Sequence, residues 1–239
     1  MLGHRGASAD APENTLAAFG LALKQGADGV ELDVWRCRTG EVVVIHDEDT
    51  RRTTGASLRV PETSLGALRE LDAGGWKGER HRGERIPLLA EALEVLAPAI
   101  VHVELKGQDP RLSAAVAEVV SRAGAAERVV VSSFSLGLLA AFQVAAPGVA
   151  RGVLLDDEWP WRIRALLGMR LVRPVAVHPA ASLVTPGRTR RWRGRGLSVN
   201  VWTVDEPAEV ERLAELGASA LITNTPGKVS ALLRALGWR

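Results

Sequence analysis

At 239 residues the chain has the length of one large α/β barrel, which typically needs ~250 residues, and divides less comfortably into two small domains. It is 46% hydrophobic and 24% charged, and 30 Lys and Arg against 28 Asp and Glu leave a formal charge of +2, which argues against a nucleic-acid partner. The single cysteine, Cys37, excludes an intramolecular disulfide and a multi-cysteine zinc site, and no uninterrupted apolar stretch is long enough to predict membrane insertion.

Apolar runs of strand length alternate with helical patterns along the whole chain. Strands are predicted over Leu2–His4, Gly29–Val34, Val42–Ile45, Ile100–Leu105, Val129–Ser132, Gly152–Leu155, Ala176–His178, Leu197–Val201 and Ala220–Thr223. Helices are predicted over Thr15–Lys24, Leu88–Leu96, Leu112–Arg122 and Pro207–Leu216, the last capped by Asp205. Strand–helix repetition of this kind means parallel βαβ units, hence a (β/α)8 TIM barrel of class α/β. Residues 1–239 are read as one domain. The opening Met1-Leu2-Gly3-His4-Arg5 lacks a basic and then apolar leader, so the cytoplasm is the expected compartment.

Nine strands exceed the barrel's eight. Val34 and Val42 are too close for a parallel crossover, so Thr39-Gly40 reads as a tight hairpin turn. Pairing Arg38 with Glu41 brings Asp33 opposite His46, with Glu31 on the same face. Asp47 to Arg85 has weak periodicity, one short helix near Ser64–Leu71, and reads as an insertion at the barrel mouth after that hairpin.

Active sites of such barrels lie at the C-terminal ends of the strands. The polar residues there are His4 and Arg5, Glu31 and Asp33, His102, Glu104 and Lys106, Ser132-Ser133-Phe134, and Trp202-Thr203. Charges on buried strands are expensive unless paired or metal-bound, so the competing explanation is a buried salt-bridge cluster. Glu31, Asp33 and Glu104 offer hard oxygen ligands suited to Mg²⁺ or Ca²⁺. Arg5 and Lys106 suit phosphate oxygens, and His4 and His46 suit general acid–base work.

These residues sit in an ordered set of segments: His4-Arg-Gly, Pro12-Glu-Asn-Thr15, Glu31-Leu-Asp33, Val44-Ile-His46-Asp47, Arg52-Thr-Thr, Leu71-Asp72-Ala-Gly, Arg85-Ile-Pro87-Leu, Val103-Glu104-Leu-Lys106, Ser133-Phe134, Val201-Trp202-Thr203 and Ile222-Thr223-Asn224. The set resembles the glycerophosphodiester phosphodiesterases of the PLC-like phosphodiesterase superfamily over nearly the whole chain. The resemblance implies a divalent metal, Mg²⁺ or Ca²⁺, on Glu31, Asp33 and Glu104, and His4 and His46 as the catalytic pair. It further implies Arg5 and Lys106 on the phosphate of a small glycerophosphodiester and Trp202 lining the glycerol pocket, with sn-glycerol 3-phosphate and an alcohol as products. A phospholipase D-like activity on lysophospholipids is the alternative within the superfamily. A barrel that only binds phosphorylated ligands is the alternative outside it. Asn224 stands where Asp is common in the family, which touches a hydrogen bond at the barrel mouth.

Other residues carry softer readings. Glu13 is expected to help hold Arg5, while Asn14 and Thr15 look like helix-start chemistry. Asp47 either orients His46 or closes the turn, with the turn favoured. His102 is expected to be a hydrogen-bonded core residue, and His178 a rim residue or a substrate contact. Trp159-Pro-Trp161 reads as an apolar lip or a packing cluster, and the arginines around Trp192 as a solvated face.

Overall fold

The computed structural model describes residues 1–157 and 171–238. Its strands are β1 (Leu2–His4), β2 (Gly29–Arg36), β3 (Val42–Val44), β4 (Ile100–Leu105), β5 (Val129–Ser133), β6 (Ala150–Leu155), β7 (Ala176–Pro179), β8 (Ser198–Val201) and β9 (Ala220–Thr223). All but β3 run parallel, and the pairing of β1 with both β2 and β9 closes an eight-stranded (β/α)8 barrel. The expected strands are all present, with ends shifted by at most two residues.

Alternation within the strands sorts the side chains. Val30, Leu32, Val34, Val101, Val103 and Leu105 are buried against the helical layer, which supplies Phe19, Leu112, Val116 and Leu138 to the same core. The intervening Glu31, Asp33, His102 and Glu104 therefore face the barrel interior. The described helices are α1 (Leu16–Lys24), α2 (Arg51–Thr54), α3 (Leu65–Arg69), α4 (Leu89–Val95), α5 (Pro110–Arg122), α6 (Leu136–Ala145), α7 (Pro186–Arg193), α8 (Pro207–Glu215) and α9 (Pro226–Ala235), and the core just named takes side chains from α1, α4, α5 and α6 but none from α2 or α3. Thr15 caps α1, its hydroxyl accepting from the Ala18 N–H, and Asp109 caps α5 ahead of Pro110.

Asp205 does not cap α8. The N-cap is Glu206, which makes no side-chain cap bond, and Pro207 presets the first helical φ while lacking an N–H to satisfy. Asp205 is turned instead to the end of β9, accepting from Thr223 Oγ1, the Asn224 backbone N–H and Asn224 Nδ2.

The hairpin register differs by one residue from the expected one. Val34 pairs with Val44 and Arg36 with Val42, so Asp33 lies opposite Ile45, whose N–H donates to the Asp33 carbonyl. The turn is longer than expected: the Glu41 carbonyl accepts from the Cys37 N–H, leaving Arg38, Thr39 and Gly40 in the loop, with Gly40 at φ 112°. A three-residue turn with a positive-φ glycine is a common hairpin closure, and it shifts every pair by one. His46 nevertheless reaches the mouth, because the ladder ends at Val44 and the chain turns inward after Ile45. The edge of β2 available for β3 is left by β1, which stops at His4 opposite Glu31.

Residues 47–85 carry α2, α3 and three short 3₁₀ turns, with Ser64 accepting from the Ala67 N–H at the start of α3. Val60, Leu68 and Ala73 from this stretch, with Ile86 just after it, form a second apolar cluster with Cys37, Val43 and Ile45 of the hairpin. Lys77 Nζ and Arg80 Nη2 donate to the Ser8 and Asp10 carbonyls, tying it to the β1–α1 loop. In α7, Trp192 is buried while Arg190, Arg191 and Arg193 are exposed, a solvated basic face around an apolar anchor. Trp159-Pro-Trp161 lies outside the described residues. No described helix is long and apolar enough to cross a membrane.

Candidate active site

At the top of β1 the chain turns sharply. Arg5 has φ 56° and Gly6 φ 87°, and a Cβ at Gly6 would stand 2.6 Å from the Ala18 backbone, so only glycine permits this approach of the loop to α1. The Arg5 N–H donates to the Glu31 carbonyl at 2.8 Å, which sets His4 and Arg5 beside β2.

Glu31, Asp33 and Glu104 each offer an oxygen to one spot, all within 4.8 Å of one another, and all three residues are buried. Two cations face them. Lys106 Nζ lies 2.9 Å from Glu104 Oε1 and 3.4 Å from Asp33 Oδ1, and Arg5 Nε lies 3.3 Å from Asp33 Oδ2. Burial pushes the Asp33 carboxyl up, but Lys106 and Arg5 outweigh it and hold the group well below the usual carboxylate range. The other two go the opposite way. Burial, then the Asp33 charge, pushes Glu104 up to about 7, and burial with Asp33 and Glu104 raises Glu31 well above its ordinary value. Two cations thus fail to satisfy three carboxylates. An all-oxygen, buried, electron-rich donor set with this deficit fits a hard divalent cation.

Two imidazoles stand over the cluster. His4 Nδ1 lies 2.7 Å from Asn224 Oδ1, which also accepts from Ser8 Oγ, while Asn224 Nδ2 donates to Asp205 at 2.6 Å. Asn224 presents its oxygen, so Nδ1 of His4 carries the proton and Nε2 is left bare, 3.9 Å from Glu31 Oε2. His46 Nδ1 donates to Asp47 Oδ1 at 2.6 Å, and its carbonyl accepts from Trp35 Nε1. Burial lowers both imidazoles below their ordinary value; Asn224 opposes this at His4, and Asp33 and Asp47 oppose it at His46.

A cavity of about 160 Å³ joins these groups, lined by His4, Arg5, Glu31, His46, Glu104, Lys106, Ser132, Phe134, Leu154, His178, Trp202 and Ile222. Phe134 meets Trp202 edge to face with centroids 5.8 Å apart, and Trp202 Nε1 donates to the His178 carbonyl. A wider groove of about 490 Å³ continues outward over Lys106, Gln108, Phe134 and Ser135.

Of the residues singled out in the sequence, Asp33 is buried beneath Arg5 and Lys106, and the other seven line this cavity. Several neighbours differ from expectation. Asn14 is more than helix-start chemistry: its Nδ2 donates to Asp33 Oδ2 at 2.8 Å and its Oδ1 accepts from the Asp33 N–H. Asp47, read chiefly as a turn residue, instead holds His46 and Arg52 with its two carboxylate oxygens. His178 is fully buried and stacks on His102 with centroids 5.0 Å apart, its Nε2 beside Asn200 Nδ2. It occupies the space over Gly152, where a Cβ would stand 2.4 Å from His178 Nε2. His102 Nδ1 and Ser132 Oγ have no hydrogen-bond partner among the described residues, so His102 is not the satisfied core residue expected. In the sequence Phe134 and Asn14 stand within the family-like segments, Phe134 also as a strand-end residue and Asn14 as helix-start chemistry, but neither is assigned a role in the site.

The model of the glycerophosphoryl diester phosphodiesterase family matches residues 4–228. A glycerophosphodiester phosphodiesterase of Caldanaerobacter subterraneus subsp. tengcongensis is 33% identical over 246 residues, covering 99% of this chain and 98% of that protein. A probable glycerophosphodiester phosphodiesterase of Mycobacterium tuberculosis is 35% identical over 268 residues, covering 98% and 92%. A solved Oleispira antarctica phosphodiesterase, in complex with the product sn-glycerol-3-phosphate, is similar with TM-score 0.89 and 29% identity, covering 98% of this chain and 96% of that one.

Proposed function

The chain belongs to the glycerophosphoryl diester phosphodiesterase family, and on that premise we propose that it hydrolyses glycerophosphodiesters to sn-glycerol 3-phosphate and an alcohol. The observation that carries the reading is the meeting of three buried carboxylates, two cations and two oppositely anchored imidazoles on one small cavity.

Glu31, Asp33 and Glu104 would hold Mg²⁺ or Ca²⁺, which when bound supplies positive charge to the phosphodiester oxygens. Arg5 and Lys106 bind the same phosphate from the chain's own side and stabilise charge developing on it. Trp202 and Phe134 give the glycerol carbons an apolar wall.

The hydrogen-bond partners divide the proton transfers. His4 leans on a neutral amide and is deeply buried, so its bare Nε2 takes the proton from the attacking oxygen, which is water directly, or the neighbouring glycerol hydroxyl with water then opening the cyclic phosphate. His46 leans on the Asp47 carboxylate, which favours its protonated form, so its Nε2 gives a proton to the departing alkoxide.

The test is release of glycerol 3-phosphate from glycerophosphocholine and glycerophosphoethanolamine, with EDTA and with Mg²⁺ or Ca²⁺ restored. Release that metal restores and that Glu31→Ala abolishes is expected. Full activity in both His4→Ala and His46→Ala would sink the proton-transfer assignment. Turnover of lysophosphatidylcholine but of neither glycerophosphodiester would replace this reading with the phospholipase D-like one.

A further inference from the structure

The Arg52-Thr-Thr segment has no part in the site as described so far, yet its arginine touches both halves of it at one remove. Arg52 lies in α2, in the stretch that follows the hairpin. Its Nη1 and Nη2 donate to Glu13 Oε2 and Oε1 at 2.7 and 2.8 Å, and its Nε donates to Asp47 Oδ2 at 2.6 Å. Each of those carboxylates has a second duty. Glu13 Oε1 also accepts from Arg5 Nη1 at 2.9 Å, and Asp47 Oδ1 accepts from His46 Nδ1 at 2.6 Å.

We propose that Arg52 is a positioning residue whose one guanidinium fixes Glu13 and Asp47 relative to each other, and through them sets Arg5 against His46. The assignment rests on the phosphodiesterase reading above, in which Arg5 binds phosphate and His46 transfers a proton.

The geometry explains why the group is an arginine. A guanidinium is planar, and its N–H directions are fixed, so a two-pronged bond to Glu13 determines where the Nε–H points. That direction is taken by Asp47. The three carriers come from different pieces of chain: Glu13 from the β1–α1 loop, Asp47 from the end of the hairpin, Arg52 from α2. None is held by the barrel ladder, so without a common strut the phosphate-binding arginine and the proton-transferring histidine are placed independently. Arg52 does not line the cavity, and its side chain is 44% exposed, so it acts through its neighbours.

The experiment compares Arg52→Ala and Arg52→Lys with the wild-type enzyme on glycerophosphocholine, reading kcat, KM and Tm. Arg52→Ala is expected to lose roughly 10- to 100-fold in kcat/KM, shared between a lower kcat through His46 and a higher KM through Arg5, as small misplacements of catalytic groups do. Its Tm should fall by a few degrees at most, leaving the variant folded at the assay temperature. Arg52→Lys keeps the charge without the fork and should recover only a minor part of the loss. In an Asp47→Asn background, Arg52→Ala should lower kcat by much less than it does alone, since both changes release His46. Wild-type kinetics in Arg52→Ala, full rescue by lysine, or a loss that follows a collapse in Tm would each overturn the assignment. A wild-type enzyme that turns over no glycerophosphodiester overturns the functional reading itself, and is distinguished from these outcomes by that control.

Discussion

Asn14 offers a test of how the most buried carboxylate is held. The residue is 4% exposed and sits at φ 57°, a left-handed conformation that asparagine tolerates better than most residues. It makes two bonds to one partner: Nδ2 to Asp33 Oδ2 at 2.8 Å and Oδ1 from the Asp33 N–H at 3.3 Å. Asn14→Gly preserves the backbone conformation and deletes both. The bond to an ionised, 1% exposed carboxylate contributes ~1.5–3 kcal/mol, and the longer bond to the backbone ~1 kcal/mol. The expected loss is therefore about 3 kcal/mol, which for a chain of this size lowers Tm by roughly 6–12 °C. Asn14→Ala should fall further, because a Cβ in this conformation adds strain of about 1 kcal/mol. Thermal melts followed by circular dichroism with EDTA present read both variants without interference from bound metal. A shift in Asn14→Gly below about 2 °C would mean that Arg5 and Lys106 alone satisfy Asp33, and the reasoning fails.

Three further outcomes are expected. Mg²⁺ or Ca²⁺ at ~100 times its Kd should stabilise the wild type by about 2.7 kcal/mol and leave Glu31→Gln unmoved, while metal-free Glu31→Gln melts above the wild type because one of three crowded carboxylates is gone; calorimetry showing no metal effect on the wild type refutes this. Burial keeps His102 neutral down to about 4, below the 6.5 of an exposed imidazole, so the unfolded chain takes up the proton first as pH falls. Stability should therefore drop between those two values by about 3 kcal/mol, and His102→Gln should flatten the decline; equal pH slopes in urea titrations would count against it. Asn224→Leu removes the acceptor that fixes the His4 proton on Nδ1, and kcat should fall at least about fivefold; unchanged kcat would show that His4 is oriented by something else.

What the sequence made legible follows from what depends only on spacing. Strands buried on both faces are rich in Val, Ile and Leu, and that enrichment bounds β4 and β9 to the residue even though β4 also carries His102 and Glu104. Carboxylates two apart on one strand share a face whatever the tertiary context, which is why Glu31 and Asp33 could be paired in advance. The hairpin register failed because it hangs on one loop residue: Arg38-Thr39-Gly40 and Thr39-Gly40 are both good turns, and the choice moves every partner by one. Asp205 departs from the cap the sequence predicts because an acidic residue before a Pro-initiated helix serves equally as a cap or as a reach to a neighbouring strand end. Asn14, Asp205 and Arg52 act on residues distant in sequence, through contacts that no local pattern encodes.

The site is therefore held in two ways, and the division matches the chemistry proposed for it. Glu31, Asp33 and Glu104 stand on β2 and β4, six adjacent pairs of which are in register from Gly29–Ile100 to Val34–Leu105, so the charged centre moves only if the barrel does. His4 and His46 sit where strands have ended, each fixed by a hydrogen bond from its Nδ1 to a residue outside its own strand. Charge stabilisation gains from rigid, preorganised groups, whereas proton transfer needs an imidazole whose tautomer is set and whose other nitrogen is free. A first strand of only three residues makes this possible at His46. By stopping opposite Glu31 it frees the upper edge of β2, and the antiparallel β3 that occupies that edge leads the chain back over the mouth of the barrel.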